Sequence, residues 1–156
     1  GDEFACAVAN SALRCWGPGL ETFYLTTPMP TNLTNPTKVV AGADFACALS
    51  AEGVSCWGDY PTPPTFNNPI ELESGPYHVC AIDSDGVKCW PDVVDSWGQA
   101  DVPEDLVNPT QLSLGDEHTC VMTSTGPRCW GNEQNGRTEI SNYASFYWIS
   151  VPFNPL

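Results

Sequence analysis

Eight cysteines are the residues of this chain best able to do chemistry, and they come in pairs. Eight residues separate the two thiols of every pair: Cys6 and Cys15, Cys47 and Cys56, Cys80 and Cys89, Cys120 and Cys129. A catalytic thiol is set apart from its fellows by its surroundings, whereas this spacing recurs four times, so the cysteines read as structural. There is no redox Cys-x-x-Cys, nucleophile elbow, phosphate loop or zinc-protease helix. His78 and His118 each stand two residues before a first cysteine, the second beside Asp116 and Glu117. Two histidines near carboxylates suggest a metal. Phe4 and Phe45 fill the same slot in the other pairs, however, so an aromatic-or-His packing position explains them without one. Asp83-Ser84-Asp85-Gly86 looks like a fragment of a calcium loop. It lacks the terminal bidentate glutamate and coincides with the turns of the other pairs, which favours turn chemistry. No catalytic residue, cofactor or metal is expected.

Thiols at this spacing are positioned by a hairpin. Setting Cys47 opposite Cys56 places Leu49 opposite Val54, with Ser50-Ala51-Glu52-Gly53 as the loop. The same register pairs Val8 with Leu13, Ile82 with Val87 and Met122 with Pro127. An even loop of two or four residues keeps both thiols on one face, and a three-residue bulged loop would separate them. Directly opposed residues have Cα atoms about 4.5–5.5 Å apart, within the reach of a disulfide. Pairing within each hairpin is therefore expected among the 105 connectivities that eight cysteines allow. Such a staple supports a hairpin that is marginal alone. Gly53, Gly86 and Gly126 stand where the loop often needs a left-handed residue, and Ala12 breaks that rule in the first pair.

The first cysteines stand at 6, 47, 80 and 120, a repeat of 33 to 41 residues. An apolar run and a glycine precede the later pairs: Val39-Val40-Ala41-Gly42, Leu72-Glu73-Ser74-Gly75 and Leu112-Ser113-Leu114-Gly115. Fifteen Pro and thirteen Gly concentrate between these motifs, and no 3.6-residue apolar period is sustained, so short strands joined by turns are expected. Trp16, Trp57, Trp90 and Trp130 each follow a second cysteine. A ring of sugar-stacking platforms is conceivable, but structural packing over the small residues Ala7, Ala48 and Ala81 is the better reading, with Val121 in that place in the fourth repeat.

A glycine, a two-residue gap, an aromatic or His, then Cys-Ala-apolar, a turn and Cys-Trp-Gly resemble the repeat of the regulator-of-chromosome-condensation family. More closely, they resemble its cysteine-bearing extracellular relatives with Crinkly-type repeats. Gly42-Ala43-Asp44-Phe45-Ala46-Cys47-Ala48-Leu49 and Gly75-Pro76-Tyr77-His78-Val79-Cys80-Ala81-Ile82 carry the match. Trp97-Gly98-Gln99 and Asn135-Gly136-Arg137 resemble the family's outer-strand glycine motif. The resemblance covers all four repeats and implies a β-propeller with one blade per repeat. The family usually has seven blades and this chain has four motifs, so a part of a larger ring is the alternative to a closed ring of four. Trp148-Ile149-Ser150-Val151-Pro152 aligns with Gln111-Leu112-Ser113-Leu114-Gly115 and would supply the innermost strand that the first repeat lacks. The expected fold is thus all-β: a closed four-bladed propeller forming one domain over 1–156. Its repeats lie at about 1–36, 37–69, 70–109 and 110–147, with a closing strand at 148–152.

Nineteen acidic against five basic residues give a net charge of −14. That surface repels phosphate backbones and anionic headgroups, so nucleic acid is a poor partner. No stretch approaches the roughly 20 apolar residues of a membrane span, so no membrane insertion is expected. Eight paired cysteines point to an oxidising compartment, and hence a secreted protein or the extracellular part of a surface protein. The absence of a basic-plus-apolar leader fits a mature protein or an excised domain. One glycosylation sequon stands at Asn32, because Asn35, Asn68 and Asn108 each precede proline. Segments 18–36, 59–68, 92–105 and 132–147 are the least repeat-like, and their aromatic and polar residues suit contact with protein or glycan. Tyr24, Tyr60, Trp97, Tyr143 and Tyr147 are the candidate binding residues. The expected function is a non-enzymatic, lectin-like or protein-binding recognition module. The alternative is a self-associating subunit of an extracellular filament or surface layer.

Overall fold

The computed structural model describes residues 4–18, 29–59, 62–90 and 97–133. Over these the chain is all-β. The strands are β1 (Ala5–Ala9), β2 (Ala12–Trp16), β3 (Lys38–Ala41), β4 (Phe45–Ser50), β5 (Gly53–Gly58), β6 (Glu71–Ser74), β7 (Val79–Asp83), β8 (Gly86–Trp90), β9 (Leu112–Leu114), β10 (His118–Thr123) and β11 (Gly126–Gly131). They form a two-stranded sheet, β1-β2, and three three-stranded antiparallel sheets: β3-β4-β5, β6-β7-β8 and β9-β10-β11. Each sheet is one repeat, and we number these units one to four.

The register is the expected one. Cys47 faces Cys56 and Leu49 faces Val54, and the other units repeat the pattern. All four disulfides lie within hairpins. Their Cα atoms are 4.0–4.1 Å apart, closer than the expected spacing, because the bridge draws the strands together at that pair. The loops differ from expectation. Ser50 pairs with Gly53, Asp83 with Gly86 and Thr123 with Gly126, leaving two-residue turns where four-residue loops were expected. Gly53, Gly86 and Gly126 take φ of 110°, 126° and 116°. Unit one, without that glycine, instead holds both turn residues left-handed, Asn10 at 51° and Ser11 at 58°. A type I′ turn needs that of both central residues, and asparagine tolerates it better than most.

A second repeated device precedes each inner strand. Asn35, Asn68 and Asn108 are left-handed, at φ of 47°, 52° and 49°, and each is followed by proline. The residue before each asparagine accepts a hydrogen bond from the hairpin turn: Ala51 N donates to Thr34 O, Ser84 N to Asn67 O and Ser124 N to Val107 O. The residue after each proline donates to the middle strand: Thr37 to Leu49, Ile70 to Ile82 and Thr110 to Met122. The Asn-Pro pair is thus the corner at which the chain leaves the turn and starts the inner strand.

The units stack side by side, with β1 against β3, β3 against β6 and β6 against β9. Because strand side chains alternate, each middle strand serves two neighbours. In β4, Phe45, Cys47 and Leu49 point forward to unit three, where Leu72, Val79, Ala81 and Trp90 meet them. Ala46 and Ala48 point backward, where with Trp57 they meet Phe4, Cys6, Leu13 and Cys15 of unit one. Cys80, Ile82 and Cys89 point forward to Leu112, Val121 and Trp130. Every tryptophan with a preceding unit therefore covers that unit's disulfide. Polar ties reinforce the stack: Lys38 pairs with Glu73, Leu112 N donates to Glu71 Oε1 at 3.1 Å, and Ala43 N donates to Pro76 O at 3.0 Å. Among the described elements no extensive contact joins unit four back to unit one. The expected closing strand at 148–152 lies outside the described residues.

Candidate recognition surface

At one end of the sheets lie the turns between inner and middle strands. Their shape follows from the repeat glycine. A Cβ on Gly42 would overlap the Phe45 ring and one on Gly115 the His118 ring, so the aromatic of each motif lies flat on the glycine three residues before it. Gly75 packs against both His78 and the Gly115 carbonyl. These close approaches bring the turns of neighbouring units together.

Behind the turns runs a buried polar chain that crosses from unit three to unit four. Thr119 Oγ1 donates to the Gln99 carbonyl at 2.8 Å, and Trp130 Nε1 donates to the same oxygen at 2.9 Å. The Thr119 hydroxyl has one proton and has given it away. His78 Nε2, 2.7 Å from that hydroxyl, is therefore the donor to it. His78 Nδ1 then carries no proton; it is buried against Gly75 and has no hydrogen-bond partner. Burial first, and the neighbouring His118 second, lower the His78 pKa from 6.5 to about 4, so the ring is neutral at neutral pH. This ring is a packing and hydrogen-bonding group of the junction, and the described residues contain no cluster able to hold a metal ion.

Two large side chains are exposed next to this chain. Tyr77 adjoins His78, and Trp97, 53% exposed, stands two residues before Gln99. Asp101 N donates to Gly98 O at 3.0 Å, and Gly98 takes a φ of 78°. Trp97 thus projects from a tight turn whose far side is fastened to the core. The surrounding exposed carboxylates are Asp44, Asp59, Asp101, Asp116 and Glu133. Asp59 N donates to Asp44 O, while Asn132 donates from its amide nitrogen to Glu117 O and from Nδ2 to Glu117 Oε2. This end therefore combines exposed aromatics with negative charge.

The other predicted positions fall elsewhere. Tyr24, Tyr60, Tyr143 and Tyr147 lie outside the described residues. Asn32 is exposed. Trp57, Trp90 and Trp130 are 1%, 5% and 8% exposed, but Trp16 is 55% exposed, because no unit stands before it among the described residues. At the calcium-like turn the amine of Lys88 fills the space between the acids. Its Nζ donates to Asp83 Oδ2 at 2.6 Å, Asp85 Oδ2 at 3.2 Å and the Thr65 carbonyl at 3.2 Å. Burial alone would raise the Asp83 carboxyl, but Lys88 and the amides of Asn67 and Asp85 hold it below its ordinary value. Tyr77 is not among the binding residues expected from the sequence. The signal was there: a tyrosine in the two-residue gap, where the other described repeats carry Asp44 and Glu117.

No protein-family model matches the chain, and no curated protein sequence matches it. Solved structures do. The Crinkly WD40 ectodomain of the Arabidopsis thaliana receptor kinase ACR4 superposes with a TM-score of 0.65 at 25% identity, over 84% of this chain and 47% of its own. The entire ectodomain of the Physcomitrella patens receptor kinase CR4 gives 0.67 at 24% identity, over 84% and 39%. Prp20p of Saccharomyces cerevisiae, described with its binding to Gsp1p and histones, gives 0.61 at 17%, over 83% and 42%. The chain spans less than half the length of each of these structures. The resemblance read from the repeats thus holds in three dimensions: this chain has the fold of the regulator-of-chromosome-condensation-like and Crinkly-type repeat proteins.

Proposed function

We propose that this chain is an extracellular, non-enzymatic recognition module that binds its ligand at the turn end of the stack. One observation carries this reading. Trp97 is exposed on a turn whose Gln99 carbonyl Thr119 and Trp130 fasten from behind. A pre-ordered aromatic loses little entropy on binding, which is what a contact residue needs. Protein and glycan ligands both suit aromatics among polar residues. The carboxylates around Trp97 and Tyr77 favour a protein segment bearing Lys or Arg, through charge attraction and cation–π contact. The same charge disfavours nucleic acid. Tyr24, Tyr60, Tyr143 and Tyr147 are proposed to extend the surface, and Asn32 to carry a glycan. The four disulfides and the ectodomain likeness support an oxidising, extracellular setting.

The test is an array of Lys/Arg-rich peptides, charge-reversed controls and glycans. Binding confined to basic peptides, weakened by salt and by at least about tenfold in Trp97→Ala, is expected. Glycan binding that survives high salt would replace the ligand class, and equal binding by Trp97→Ala would remove the site. For the fold, the four repeats over 1–156 closing into a single-chain ring through 148–152 is the reading favoured by the alignment of Ile149 and Val151 with Leu112 and Leu114.

A further inference from the structure

The Asn-Pro corner is the end of a longer strap that precedes each described inner strand. A proline stands five residues before each corner asparagine (Pro30, Pro63, Pro103), and an apolar residue stands two before it (Leu33, Phe66, Leu106). That apolar residue packs against a core cluster in all three straps. Burial runs identically from proline to asparagine: the proline and the apolar residue are half-buried, and the other four residues are exposed. The strap lies over the outer strand beside the disulfide. Lys88, which precedes Cys89, donates to the Thr65 carbonyl at 3.2 Å, and Arg128, which precedes Cys129, donates to Asp105 Oδ1 at 3.1 Å. Phe66 lies against Trp90, with ring centroids 5.4 Å apart.

The position three residues before each asparagine is therefore fixed and faces outward. It holds Asn32, Thr65 and Asp105. Asp105 is taken by Arg128, and Asn32 is the sequon asparagine. The Thr65 hydroxyl makes no hydrogen bond among the described residues, although the Thr65 carbonyl does. The threonines that follow the corner prolines differ: Thr37 Oγ1 donates to Leu49 O at 3.3 Å, and Thr110 Oγ1 to Met122 O at 3.4 Å. Pro63 and Pro64 stand immediately before Thr65. Proline fixes its own φ and drives the residue before it out of the helical region, so the approach to Thr65 stays extended. An exposed threonine with an idle hydroxyl, on an extended segment held by proline, suits the attachment of an O-linked sugar.

We propose that Thr65 is an O-glycosylation site, placing a sugar in unit three at the strap position that Asn32 holds in unit two. In the transfer, Thr65 Oγ bonds to the anomeric carbon of a sugar carried on a nucleoside diphosphate. The bond from that carbon to the diphosphate breaks, the nucleoside diphosphate leaves with the electron pair, and the hydroxyl proton passes to solvent. The site rests on the extracellular reading given above and is independent of the ligand at the turn end.

The test incubates the intact 156-residue chain, disulfides formed, with UDP-N-acetylgalactosamine and a purified polypeptide N-acetylgalactosaminyltransferase. Fragmentation of the digest then locates the added mass. One N-acetylhexosamine on Thr65 is expected, lost in Thr65→Ala and restored in Thr65→Ser, with all three chains melting alike. Thr37 and Thr110 should stay bare. Equal transfer to those two overturns the role given to the idle hydroxyl, and no transfer to Thr65 overturns the site. The same chain secreted from cultured animal cells separates this inference from the reading beneath it. Intact disulfides with Thr65 bare, or with phosphate there, overturn the O-glycan alone. A chain that leaves the cell only with free thiols overturns the extracellular reading and the site with it.

Discussion

Protonating His78 would set a second N–H against Gly75, where nothing accepts it. The unfolded chain takes that proton near pH 6.5 and the folded chain only at about 4. Between those values the unfolded state binds more protons, so the stabilising contribution is full above about 6.5 and is lost as pH falls towards 4. The loss is about 3 kcal/mol if the site does not relax. His78→Phe, which places there the residue type found at 45, should flatten that part of the stability-versus-pH curve. Chemical denaturation at pH 7 and pH 4 checks it. An unchanged difference between the two pH values would mean that carboxylates elsewhere set the slope. Lys88 makes a related point about side chains. Its three donors occupy the space that a calcium ion would need, so the acidic turn is already satisfied by the chain's own cation.

The strands and their register were legible because two-residue periodicity and a repeated Cys spacing leave one consistent pairing. The turn length was not, since Ser50-Ala51-Glu52-Gly53 reads equally as a loop of four or as a turn of two closed by a paired glycine. The Asn-Pro corner recurs at Asn35, Asn68 and Asn108, and its meaning lies in a backbone conformation that composition does not display. It yields a sharp test. At Asn68, φ of 52° suits glycine or asparagine. Asn68→Gly should leave the melting temperature nearly unchanged, while Asn68→Ala should cost about 1–2 kcal/mol. Equal losses would place the asparagine's value in its side chain, which reaches Asn67 Oδ1 at 3.2 Å, and not in its φ. The surface aromatics were the least legible part. Exposure depends on which neighbour covers a residue, so Trp16 and Trp57 carry the same local motif and opposite fates.

At the scale of the whole molecule, the first unit is a two-stranded sheet among the described residues, where the others have three strands. If 148–152 supplies its third strand, deleting 147–156 exposes a strand edge, and the chain should lose cooperative unfolding and aggregate with its four disulfides intact. The sequence also carries a further Asn-Pro at Asn154-Pro155. Were that pair a corner like the other three, 148–152 would precede it and belong to a connection, and the truncated chain would melt like the intact one. Calorimetry of the truncated protein separates the two registers. Either result bears on the stack as a whole, because stability in such an array is close to a sum over units and nearest-neighbour junctions.

The alternation of the middle strands also limits which length changes the protein could accumulate by mutation. Adding one residue inside β7 would exchange its two faces beyond that point, sending Cys80 and Ile82 towards unit two and Ala81 towards unit four. Both neighbouring junctions would fail together, and the thiol would lose its partner. A residue added between units meets no such parity rule. The cysteine-to-cysteine spans are identical in all four repeats while the whole repeat varies from 33 to 41 residues. The length differences between the repeats therefore lie in the connections, the same segments that carry Tyr24, Tyr60, Trp97, Tyr143 and Tyr147.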